Sequence, residues 1–140
     1  MGNPTLIKNY KAGGVITKMR IVKFGADDDH MIQGAAATDM LVGVCEQVGA
    51  AAAEDRVDII HAGIADVEYG GTVARGDPLT SDANGKAIKS TRHTHTENTN
   101  VTYIQNATTG VGTAERVIGH AFVSAVAGDI GPMLVNPSYA

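Results

Sequence analysis

The chain has 140 residues, 44% of them apolar, with a formal net charge of −4, a size and balance that fit one folded domain. Its eleven Lys and Arg are scattered with no run of three, which argues against the phosphate-neutralising chemistry of a nucleic-acid binder. No apolar stretch approaches the ~20 residues that span a bilayer, Met1 to Pro4 has no leader layout, and Cys45 alone makes no intrachain disulfide.

Aromatics are only 4%, and Trp is absent, so the core must be built from Ala, Val, Ile and Gly. Small and β-branched side chains bury less area per residue than aromatic ones. The expectation is a domain that draws stability from partners, in a soluble protein made in a cytoplasm-like compartment.

In chain order, residues 1–14 form an extended N-terminal arm in which Leu6, Ile7 and Tyr10 stand among polar neighbours. The competing reading of this segment is a frayed terminus or an edge strand of the protein's own sheet. The β-domain is expected from 15 to 140. Arg20–Phe24 alternates and meets the turn-rich Gly25–Asp29, and Leu41–Cys45 is an apolar strand. Ala35–Asp39 is ambiguous, and the Ala-rich Val48–Glu54 offers a turn or two of helix, weakened by Gly49. Val57–Ala62 leads through Gly63 into Ile64–Tyr69, whose Asp66 and Glu68 alternate with apolar positions in the pattern of a half-buried strand. Asn84-Gly85 signals a hairpin between Pro78–Ser81 and Ala87–Lys89. Residues 90–113, rich in Thr, Asn and His, read as a long polar excursion with one strand, Val101–Gln105, and a loop of that length in a compact domain is a candidate contact element. Short apolar runs every 8–12 residues or so give an all-β fold, a single small jelly-roll or barrel-like sandwich. Leu41–Val48 is also echoed by Val117–Val123, each followed by small residues and a new apolar run.

The most diagnostic stretch is Thr72-Val73-Ala74-Arg75-Gly76-Asp77-Pro78-Leu79-Thr80-Ser81-Asp82-Ala83-Asn84-Gly85-Lys86-Ala87-Ile88. A strand, a Gly-Asp turn, a short strand, an Asp-Ala-Asn-Gly hairpin and a return strand in this order resemble the small capsid decoration (cement) proteins of tailed phages. Met40–Val44, Ile64–Val67 and the pair Val117–Ala121 and Asp129–Val135 resemble the family's other strands, so the likeness runs from about Gly14 to Val135. The excursion 90–113 is longer and more polar than the family pattern. The resemblance implies a jelly-roll or barrel-like domain on the outside of a phage head, in the virion, made in the host cytoplasm and bridging subunits of the major capsid protein. It implies no catalytic residues and no cofactor, with self-association as a homodimer or homotrimer.

Other polar clusters have plainer readings. Asp27-Asp28-Asp29-His30 lacks the spacing of a cation loop and reads as a solvated turn. His93, His95 and Glu97 would share one face of an extended strand, which makes them the best metal candidates. Cys45, set among Leu41, Val42 and Val44, reads as buried and inert, since nothing places His61 or His120 beside it. Asp66 and Glu68 read as a solvent face rather than a carboxylate pair. Gly110-Val111-Gly112 lacks the lysine and helix of a phosphate loop, and the Asn100 and Asn106 sequons read as chance. The expected function is therefore structural and not enzymatic: a cement protein contacting its partners through Leu6, Ile7, Tyr10, Tyr103 and Ile104. A small-ligand or carbohydrate-binding β module is the alternative, and an enzyme with a metal at His93 and His95 comes third.

Overall fold

A computed structural model describes residues 2–91 and 115–139. Among these there are nine strands and no helix: β1 (Pro4–Ala12), β2 (Arg20–Phe24), β3 (His30–Gln33), β4 (Leu41–Cys45), β5 (Arg56–Glu68), β6 (Pro78–Ser81), β7 (Ala87–Lys89), β8 (Arg116–Ala121) and β9 (Ile130–Tyr139). They form one sheet in the order β1-β3-β2-β4-β5-β9-β8-β6-β7. A further antiparallel pairing of β1 with β5 closes the first five strands into a barrel. The barrel-like form of the expected all-β fold is the one adopted.

Two apolar clusters lie on opposite sides of the central strands. Val22, Cys45, Val57 and Ile59 point into the smaller cluster with Ala12, Ile16, Met31 and Ala50. Their sequence neighbours Ile21, Val44 and Ile60 point into the larger one, around Tyr69, Leu79, Ile118 and Met133. Strands buried on both faces need apolar residues at consecutive positions. This is why Leu41–Cys45 reads as a continuous apolar run rather than an alternating one.

The chain repeats its backbone plan. Ile16 and Ala50 exchange both backbone hydrogen bonds (3.0 and 2.7 Å), as Val73 and Ala125 do (2.9 and 3.1 Å). Met19 at φ 61 corresponds to Gly76 at φ 93, and Glu54 at φ 73 to Gly128 at φ 93. In three loops the carboxylates of Asp55, Asp77 and Asp129 accept the N–H of Ala52, Ala74 and Val126 at 3.1, 2.9 and 3.0 Å. Strands β1 to β5 thus match β5 to β9, with β5 shared, Ala12 matching Tyr69 and Gly43 matching Gly119. The echo between Leu41–Val48 and Val117–Val123 is the sequence trace of this repeat. The second half curls back as well, through a parallel bridge of Tyr69 with Ala87. Where Gly34–Met40 joins β3 to β4, the longer stretch leaving Ser90 joins β7 to β8. Its neck is held by Glu115, whose carboxylate accepts Ser90 Oγ at 2.6 Å, Thr91 N at 2.8 Å and Thr91 Oγ1 at 2.9 Å.

Three local expectations change. The segment 1–14, expected as an extended contact arm with a strand of the protein's own sheet as the competing reading, takes the second form: it carries β1, paired with β5 from Pro4↔Gly63 to Lys11↔Arg56. Val48–Glu54 is a loop, not a helix, because Val48, Gly49 and Glu54 all take positive φ. His30, read as the end of a solvated turn, opens β3, which pairs with β2 and, in parallel, with β1. The β6–β7 hairpin forms as expected, with Ser81 opposite Ala87 and Gly85 at φ 74.

Candidate partner-binding surface

Strand β1 is exposed from Thr5 to Asn9. Leu6 and Ile7 are 55% and 50% exposed, large apolar groups that water solvates poorly. Its pairing with β5 shifts register twice, between Pro4 and Leu6 and again between Leu6 and Ile7. The second shift leaves His61 of β5 without an opposite residue, a β-bulge that re-aims its side chain. His61 Nδ1 lies 2.8 Å from the Val42 carbonyl, and Nε2 lies 2.8 Å from Tyr10 Oη. A carbonyl can only accept, so Nδ1 carries the proton and Nε2 accepts the Tyr10 hydroxyl. The Tyr10 ring meets His61 edge-on at 5.5 Å and has Lys8 Nζ 4.5 Å above its centroid.

This linkage substitutes for a strand ladder. β4 meets β5 at a single register pair, Val44↔Ile60. Beyond that pair the seam opens into a groove of about 370 Å³ between the face of β1 and β5 and the loop after β4. Ile7, Val57 and Ile60 give it apolar walls, and Glu46, Val48 and Asp58 line it as well. Glu46 is only 7% exposed, and its two oxygens accept backbone N–H groups at long range, Gly2 at 3.4 Å and Asp66 at 3.3 Å. Val48 on the rim is 91% exposed and holds φ 68, a strained conformation for a β-branched residue.

Of the expected contact residues, Leu6 and Ile7 are neighbours on this exposed strand, whereas Tyr10 is half-buried with its hydroxyl committed to His61. Tyr103 and Ile104 lie outside the described residues, as do the metal candidates His93, His95 and Glu97. Among the described residues no three His, Cys, Asp or Glu side chains gather into a metal-holding group. Asp27, Asp28 and Asp29 are exposed in a turn, and His30 reaches Glu54 at 2.7 Å and Asp27 at 3.5 Å. Cys45 is fully buried, and burial pushes its thiol up, away from the reactive thiolate. Glu68 is taken by Arg20 at 3.0 Å and Lys86 at 2.9 Å, an ion-pair cluster joining β2, β5 and the β6–β7 hairpin. Sequence reading missed Glu46, Val48 and His61. Only the unusual Val48-Gly49 pair hinted at a turn there, because the other features arise from strands distant in sequence.

No protein-family model matches the chain, and no curated protein matches it. Among solved structures it is similar to the head fiber gp8.5 N base of bacteriophage phi29, at 18% identity and a TM-score of 0.56. The alignment covers 94% of this chain and 93% of that one. At that identity the likeness establishes a shared fold along the whole described architecture.

Proposed function

We propose that the chain is a structural protein of a phage head, bound to the outer surface of the shell through the major capsid protein and acting mechanically rather than as an enzyme. The observation that carries this reading is the end-to-end likeness of fold to a phage head fiber base. The ordered strand and turn motifs from Thr72 to Ile88, which resemble capsid decoration proteins, support the same role. So does the exposed apolar pair Leu6 and Ile7 on β1, which suits an interface better than solvent. As a cement protein it binds assembled shells and not separate subunits, and preferential binding of one state stabilises it by mass action. Repetition over symmetry-related sites, by a homodimer or homotrimer, multiplies a modest contact.

Co-sedimentation of the purified protein with empty phage shells, beside free capsid subunits, tests the reading. Saturable binding to shells with little to subunits is the expected result. Absence of binding to any shell would remove the proposal.

A further inference from the structure

The groove lies where the two halves of the molecule depart from their shared plan. In the second half β8 follows β9 at five register positions, and Phe122 donates its N–H to the Pro132 carbonyl at 3.2 Å, closing the seam. Val123 packs so near Gly131 that a Cβ there would stand 2.8 Å from it. In the first half the seam opens after Val44↔Ile60 into the groove, whose lining includes the buried Glu46 beside Ile7, Val57 and Ile60.

We propose that this groove is a receptor for a lysine side chain presented by a protein partner. The chemistry of the site favours that occupant. A carboxylate offers about four acceptor positions, and among the described residues Glu46 uses two of them, both on long contacts. Asp58, one of whose oxygens accepts Asn9 Nδ2 at 2.9 Å, adds a second carboxylate to the lining, and the guanidinium of Arg56 there turns its Nη1 to Asn9 Oδ1 at 3.3 Å. The aliphatic stem of lysine matches Ile7, Val57 and Ile60, and its compact ammonium reaches a recessed carboxylate as a point charge. An arginine fork fits less well, because each Glu46 oxygen already faces a different backbone N–H. Val48 would form the outer wall, which gives its strained, exposed conformation a use.

The inference extends the head-binding reading, which supplies only the identity of the lysine donor, and its test uses no shell, so the two fail separately. The full chain, isotopically labelled, is titrated with Nα-acetyl-lysine methylamide and, in parallel, with the norleucine analogue that lacks the ammonium. Expected are saturable amide shifts at Gly2, Ile7, Val48 and Gly49, with the lysine probe about tenfold tighter, as a charge-assisted buried contact implies. Glu46→Gln should abolish that preference. Val48→Ser, at a site too exposed to threaten folding, should weaken both probes by a similar few-fold factor. Equal binding of the two probes, shifts elsewhere only, or a lysine preference retained in Glu46→Gln would overturn the proposal. Should Glu46→Gln not fold, Val48→Ser decides: unchanged binding of the lysine probe would overturn it.

Discussion

The two halves of the sheet are built to one plan but sealed differently. In the second, β8 and β9 pair from Arg116↔Tyr139 to Ala121↔Met133, and Tyr69 fills the core with its hydroxyl on the Pro132 carbonyl at 2.9 Å. In the first, β4 touches β5 at Val44↔Ile60, a histidine side chain spans the gap, and Ala12 stands where Tyr69 does. The first half also carries the exposed apolar strand and the groove. One half is sealed along its whole seam while its counterpart is left open, and an open, less tightly paired region is where the proposed partner contact would sit.

Five substitutions would break or sharpen that contrast, beginning with the largest effect. Gly43 and Gly119 are counterparts where β4 and β8 press on their neighbours. A Cβ on Gly119 would collide with the Leu134 carbonyl, whereas on Gly43 it would stand 2.6 Å from the Ile60 carbonyl and from Ile59 Cγ2. Both sites meet a backbone carbonyl, but the overlap at Gly119 is far the deeper, and part of the crowding at Gly43 comes from an isoleucine tip that can move. Gly119→Ala is therefore expected to cost about 4 kcal/mol or more, and Gly43→Ala about 1–3 kcal/mol, measured by denaturant unfolding. Equal losses would mean that the two seams are alike.

His61→Phe comes next. It leaves the Val42 carbonyl and the Tyr10 hydroxyl without their partner, an expected loss of about 1–3 kcal/mol. Hydrogen exchange should quicken in β4 while β8 keeps its protection. Quickening spread evenly over both strands would show that the seams are not independent.

Tyr69→Phe removes one hydrogen bond from the sealed half, about 1 kcal/mol, and also changes the response to base. Burial, aided by the negative charge of Asp66, pushes the Tyr69 hydroxyl up to about 12 from its ordinary value of 10. The unfolded chain therefore gives up this proton first. The wild type should hold this contribution in full below pH 10 and lose it as the pH rises towards about 12. The variant should lose less over the same interval. Parallel melting curves for the two proteins above pH 10 would contradict the assignment.

The smallest effect is expected at Met19, whose φ of 61 is met by a glycine in the counterpart position. Met19→Gly should relieve left-handed strain and raise stability by up to about 1 kcal/mol. A loss would mean that the Met19 side chain contributes more than its backbone costs.

Sequence reasoning reached the elements whose signal is local. β2 and β4 were legible to the residue, both arms of β5 followed the apolar pattern, and Asn84-Gly85 placed the β6–β7 hairpin. β1 was not legible as a settled strand. PTLIKNYKA has no clean alternation, and its strand form rests on pairing with β5, a tertiary choice that overrides propensity. The repeat was glimpsed at Leu41 and Val117 but hidden elsewhere, since Gly13-Gly14-Val15-Ile16 and Gly70-Gly71-Thr72-Val73 match while the unequal β3–β4 and β7–β8 connections destroy a constant period. Leu6 and Ile7 could be picked out as apolar residues in polar company. Glu46 and His61 could not, because a half-closed seam between β4 and β5 is a property of register that no single segment encodes.

The most direct measurement is a shell-binding titration that sets the wild type beside the double variant Leu6→Asp, Ile7→Asp, with melting curves to show that both are folded. The wild type should saturate the shells, and the folded variant should lose most of its affinity. Undiminished binding by the variant, or none by the wild type, would contradict the view that the open half holds this protein to a phage head.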